Sequence, residues 1–182
     1  RLRLFITAWF VFGLHFATNI VREHYPAFSL AEKGTFRVDE YEGFHSDIFV
    51  HTDGHAYIGN QVAPSLVAAA PLLLFDPVLD RLETYRLDHP IPVSKQDEFD
   101  TEYPRRAAFL ARARGAGLDL RFGGAAVVTS VFLMAPLLAG FLVYLLGLLQ
   151  GVGVPRNKSI VLTILAGFAT PIFYRAAHLN HN

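Results

Sequence analysis

Apolar residues run almost unbroken from Leu4 to Val21, interrupted only by Thr7, His15, Thr18 and Asn19, and a run of that length matches the hydrocarbon core of a bilayer. It predicts a first membrane span. Arg1 and Arg3 give the run a basic start, but Arg22-Glu23-His24 follow where a signal peptide would carry a small-residue cleavage site, so the helix is expected to be retained. His15, inside this run, reads as a core histidine bonded to a neighbouring helix. Gly123 to Leu149 holds no charge over 27 residues, long enough to cross with tilt. After the basic turn Gly151 to Lys158, Ile160 to Phe173 starts a third span.

Between the first and second spans the pattern shortens. Tyr25 to Lys33, closed by Gly34, predicts a short helix lying along the membrane surface. Phe36 and Val38 alternating with Arg37 and Asp39 suit an extended segment over Thr35 to Tyr41. Phe49-Val50 and Ala56-Tyr57-Ile58 flank Asp53-Gly54, which reads as a tight turn between two extended pieces. Leu66 to Phe75 is apolar but shorter than a bilayer core and broken by Pro71, so it reads as a re-entrant or surface helix that stops at Asp76-Pro77. Glu98 to Arg114 predicts an amphipathic helix, with Arg105, Arg106, Arg112 and Arg114 on its polar side. The expected architecture is therefore an all-α, polytopic helical membrane protein: three transmembrane helices and a large extracytoplasmic loop carrying surface helices. Residues 1–21 form the first span, 22–121 the loop, and 122–182 two spans joined by a short cytoplasmic turn.

Composition agrees with that class, since 52% hydrophobic against 18% charged residues is too apolar for an ordinary soluble domain. The net charge of zero conceals a segregation: all 16 acidic residues lie between Glu23 and Asp119. No strongly basic surface is left for nucleic acid, which is not expected as a partner. With no cysteine, disulfide and thiol chemistry are excluded. Arg1, Arg3, Arg156 and Lys158 sit on short segments and place those ends in the cytoplasm, so Arg22 to Arg121 faces outward. The chain reads as the N-terminal part of a longer membrane domain.

Two tracts offer chemistry. Arg22-Glu23-His24 lies at the lip of the first span, where charge is costly and serves a site or an anchor. His45, Asp47, His51, Asp53 and His55 alternate as metal ligands do, but they match no zinc-protease or calcium-loop spacing. A turn explains Asp53 better. No metal ligand is assigned from the sequence, although a divalent cation stays open as a cofactor. Gly59-Asn60-Gln61 precedes a helix start, a geometry that suits phosphate.

Gly54, Tyr57, Asn60, Pro64, Ser65 and Leu66 form a Gly-x-x-Tyr-x-x-Asn-x-x-x-Pro-Ser-Leu entry into an apolar helix, and Thr170 to Arg175 reads Thr-Pro-x-Phe-Tyr-Arg. With a first span ending in an acidic residue, this arrangement resembles the N-terminal part of the polyprenyl-phosphate-dependent GT-C glycosyltransferases of bacterial membranes. The resemblance implies a multi-pass protein of the bacterial inner (plasma) membrane. Its partners would be the lipid bilayer, a polyprenyl-phosphate-linked sugar and further C-terminal transmembrane helices. It implies a catalytic carboxylate just after the first span, where Glu23 stands with Arg22 in place of a second acid. Gln61 stands where many members carry a basic residue.

Sugar transfer from a lipid phosphate needs a carboxylate to take the acceptor's proton and positive groups to stabilise the departing phosphate. Glu23 is the expected base, with Asp47 and Asp39 as further catalytic candidates. Arg22 and Arg175 suit bidentate phosphate contact, and His24, Asn60, Gln61, His178 and Asn180 complete the expected substrate-binding set. Two other classes fit the same pattern less fully: a non-catalytic membrane protein such as a transporter portion or assembly subunit, and a metal-dependent membrane hydrolase using the His45 to His55 tract.

Overall fold

The computed structural model describes residues 1–16, 18, 20–59, 62–91, 103–175 and 179, and within them the chain is mostly helical. In chain order the elements are α1 (Leu2–Leu14), α2 (His24–Lys33), β1 (Ile48–Val50), β2 (Ala56–Ile58), α3 (Val62–Asp88), α4 (Pro104–Gly115), α5 (Asp119–Gly151), α6 (Arg156–Phe168) and α7 (Pro171–Arg175). The chain divides into two compact units, Arg1–Ala17 with Ala126–Asn182, and Thr18–Ala125.

Two helices, α3 with 27 residues and α5 with 33, are long and apolar enough to cross a membrane. Only 22% and 28% of their most apolar windows are buried, so packing within the chain does not consume their apolar surface. Leu74 on α3 and Tyr144 on α5 stand 76% and 68% exposed.

The discontinuous unit is built on α1 packed against the second half of α5. Ala8 and Phe12 meet Ala135, Ala139 and Leu142, and the small alanines let the two backbones approach. Phe12 stacks on Phe168 at 5.2 Å, and His15, half-buried, stacks on Phe173 at 4.5 Å at the edge of that core. On α6, Gly167 faces Leu142 so closely that an added Cβ would lie 2.7 Å from it. Within α5, Ser130–Met134 forms a π turn, a register in which one carbonyl loses its usual partner. The Trp9 indole N–H donates to the Val131 carbonyl at 2.7 Å and satisfies that group across helices.

The expected first span is shorter than its apolar run. Helix α1 ends at Leu14 because His15 leaves helical geometry (φ −97°, ψ 70°), and thirteen residues span only about 20 Å. Helix α6 is equally short at 13 residues. The long apolar helices are instead α5, as expected, and α3, which was read as a short surface piece stopping at Pro77. Both Pro71 and Pro77 lie inside α3. Each removes one backbone hydrogen bond, and the helix continues through both.

The continuous unit has an aromatic core. Phe122, in the first turns of α5, lies 5.7–6.2 Å from Tyr25, Phe28, Tyr41, Phe44 and Phe109. Helix α2 supplies two of these rings, and residues His24 to Ser29 are all buried, so α2 is a core element and not the surface helix its pattern suggested. The local stop works as expected: Gly34 adopts φ +64°, and Thr35 and Gly34 donate to the Ser29 and Leu30 carbonyls. Strands β1 and β2 pair antiparallel with Phe49 opposite Tyr57, and Gly54 turns the chain at φ +82°. The segment expected to be extended over Thr35 to Tyr41 contains a 3-10 turn at Asp39–Tyr41, while Val38 donates to the Ala56 carbonyl at 2.8 Å. Of the amphipathic helix expected from Glu98, the described part is α4, which starts at Pro104. Gly124 lets α5 approach α3, since an added Cβ would lie 2.8 Å from Leu82.

Candidate functional site

Glu23 stands just before the first residue of α2 without a side-chain capping bond, and its side chain is 1% exposed. The Ser65 hydroxyl, in the first turn of α3, donates to the Glu23 carbonyl at 2.9 Å and fixes the backbone there. Arg22 lies across two carboxylates: its Nε is 3.4 Å from Glu23 Oε1, and its Nη1 donates to Asp47 Oδ2 at 3.0 Å. Asp47 precedes β1, so two segments far apart in sequence place their acids on one guanidinium. The Asp47 side chain is 38% exposed, and the bond from Arg22 holds its carboxyl below the usual carboxylate range. The same bond favours the charged guanidinium. In chemical terms, a buried acid anchors an arginine, and the arginine keeps an accessible acid ionised.

His24 is 1% exposed, with Nδ1 at 3.1 Å from the Val21 N–H and 3.2 Å from the Val21 carbonyl. Burial lowers its pKa to about 4, so the ring is neutral near pH 7 and closes the turn into α2. Asp39 is engaged elsewhere. Its Oδ1 accepts from the Ala56 N–H and its Oδ2 meets His55 Nδ1 at 2.9 Å, which pulls its carboxyl pKa down and ties it to the hairpin. Asp53 accepts from the His55 N–H at 3.0 Å and from the Tyr57 hydroxyl at 2.9 Å, the turn role its sequence suggests. His45 Nδ1 accepts from the Asp47 N–H at 3.1 Å. Among the described residues, no group of three or more His, Cys, Asp or Glu side chains has metal-holding geometry.

The structure thus brings Arg22, Glu23 and Asp47 together, buries His24 beside them, and assigns Asp39 to the hairpin. Arg175 ends α7 in the other unit, and Asn60, Gln61, His178 and Asn180 lie outside the described residues.

A second polar assembly has no counterpart in the sequence expectations. Arg121, 5% exposed, holds four acids: Nη1 reaches Asp80 and, at 3.1 Å, Glu83, while Nη2 reaches Glu32 and, at 3.2 Å, Asp76. Its guanidinium also lies 5.6 Å from the Phe28 ring. These groups line a cleft of about 670 Å³. Burial and the neighbouring Glu40 and Asp76 raise the Glu32 pKa against the pull of Arg121. Asp76, Asp80 and Glu83 are spaced to share one face of α3, so this much was visible as a pattern on a single helix. What the sequence did not show is the cation at its centre.

No family model matches the chain, and neither a curated protein nor a solved structure is detectably similar to it.

Proposed function

We propose that the chain is part of a membrane glycosyltransferase that moves a sugar from a polyprenyl-phosphate donor to an acceptor on the outer side of a bacterial plasma membrane. The observation that carries this reading is the carboxylate pair Glu23 and Asp47 held on Arg22, just after the first apolar helix. The GT-C pattern resembled by the sequence has its acids at this position, and here the second acid comes from Asp47 in space. The long apolar helix α5 supports the membrane setting, and the expected three-span arrangement of 1–21 and 122–182, in which α3 does not cross the bilayer, belongs to the same proposal. So does an outward-facing stretch from Arg22 to Arg121.

The geometry divides the labour between the acids. A general base has to reach the acceptor hydroxyl, and Glu23 is enclosed whereas Asp47 meets solvent. In this reading Asp47 takes the proton as the hydroxyl oxygen attacks the anomeric carbon and the lipid phosphate leaves with the bonding pair. Glu23 positions Arg22. Arg22 gives its Nε and Nη1 to the two carboxylates and keeps Asp47 ionised. Turnover of Asp47→Asn and Glu23→Gln in the full-length protein tests this assignment. Asp47→Asn should lower the rate roughly a hundredfold or more at unchanged folded yield. Glu23→Gln should lower yield and rate together.

The burial of Glu23 favours one other reading, a non-catalytic membrane subunit in which the same ion pairs only fasten α2 to β1. That reading requires both variants to change stability alone.

A further inference from the structure

The sequence of the discontinuous unit contains Arg1, Arg3, Arg156, Lys158 and Arg175 and no Asp or Glu. Three of these arginines meet at one place. The start of α1, the end of α5 and the start of α6 enclose a cleft of about 720 Å³. Arg1, Arg3, Arg156 and Gln150 supply its polar lining, and apolar residues including Leu146 and Ile160 supply the rest. All three arginines are exposed. The Arg1 guanidinium lies over Gly147, where an added Cβ would stand 3.6 Å from it, so a glycine leaves room for the charged group against the helix.

A helix end adds to the same sign of charge. Helix α6 has no side-chain cap, since it starts after Pro155, which has no side-chain acceptor to offer. The start of α6 therefore presents first-turn N–H groups beside three guanidinium groups. The opposing end, that of α5, is quenched: Val152, Gly153 and Val154 donate to the Leu148, Gln150 and Leu149 carbonyls, with Gly153 at φ +85°.

We propose that this cleft binds the headgroup of an anionic glycerophospholipid, with phosphate between Arg3 and Arg156 and an acyl chain along Leu146 and Ile160. Arginine suits the phosphate because its planar fork donates two parallel hydrogen bonds. Basic recesses between membrane helices take anionic headgroups for this reason. The mixed lining selects a lipid over a free anion, since phosphate alone leaves the apolar wall uncovered. The site is independent of sugar transfer and needs only that α5 lies in a bilayer.

Native mass spectrometry tests it on the full chain purified in non-ionic detergent and offered equal phosphatidylglycerol and phosphatidylcholine. One phosphatidylglycerol should be retained in preference by about tenfold or more, and the Arg3→Gln/Arg156→Gln protein should lose that preference. Lys158→Gln, on the same unit but outside the cleft lining, should keep it. Melting temperature in phosphatidylcholine nanodiscs serves as the folding control and should be shared by all three proteins. Equal retention of the two lipids would overturn the site, as would an unchanged preference in the double variant. Stabilisation by inorganic phosphate equal to that by phosphatidylglycerol would overturn the lipid as occupant.

Discussion

A neutral buried histidine leaves a signature in acid. His24 is held near 4 when folded, whereas an unfolded histidine takes its proton near 6.5, so between those values the unfolded chain binds more protons. Stability is therefore complete above about pH 6.5 and falls as the pH drops toward 4, by on the order of 3 kcal/mol in full. Denaturant unfolding of the continuous unit between pH 7 and 4 should show this slope, and His24→Gln should flatten it. Asp47, whose folded pKa is lowered, contributes in a separate and more acidic window: its stabilisation is present above the unfolded carboxylate value and is lost below it. An identical slope in His24→Gln would show that the ring is not enclosed as described. At this scale the sequence was informative where chemistry is local. Asp53-Gly54 turns the hairpin and Gly34 stops α2 because the needed φ and side-chain acceptor sit within a few residues. The pairing of Arg22 with Asp47 was not readable, since it depends on where β1 returns.

Among elements, Arg121 is the common partner of α2, α3 and α5. It sets Glu32 of α2 and Asp76, Asp80 and Glu83 of α3 against one cation, and Nη1 and Nη2 each serve two acids. Removing that cation strands acids in a half-buried cleft, so Arg121→Gln should cost about 3 kcal/mol or more in a thermal or denaturant melt. Lysine should recover only part of this, because one ammonium cannot take two nitrogens' places. A melt of Arg121→Gln equal to wild type would dissolve the assembly. The helices themselves were half legible. The 27 uncharged residues of α5 announced their helix, but counting apolar residues extended α1 past Leu14 and cut α3 at its prolines. Hydropathy records solvent preference and not backbone geometry, so it shows neither the helix end at His15 nor the passage of α3 through Pro71 and Pro77. The burial of α2 was hidden because its covering rings include Tyr41 and Phe122, far from it in sequence.

For the whole molecule, the segregation of acidic residues and the basic short segments with Arg1, Arg3, Arg156 and Lys158 set the proposal that Arg22 to Arg121 faces outward. Because the chain has no cysteine, single cysteines at Thr52 and Asn157 report their own sides. They should label from opposite faces of intact cells, and labelling from one face would remove the topology. The proposed chemistry is tested most directly by sugar transfer from a radiolabelled polyprenyl-phosphate donor, using full-length protein in sealed vesicles. Wild type should discharge the donor to free polyprenyl phosphate and a glycosylated acceptor, and Asp47→Asn should do so roughly a hundredfold more slowly while remaining folded. Donor left intact by folded wild-type protein, or equal transfer by wild type and Asp47→Asn, would contradict the account.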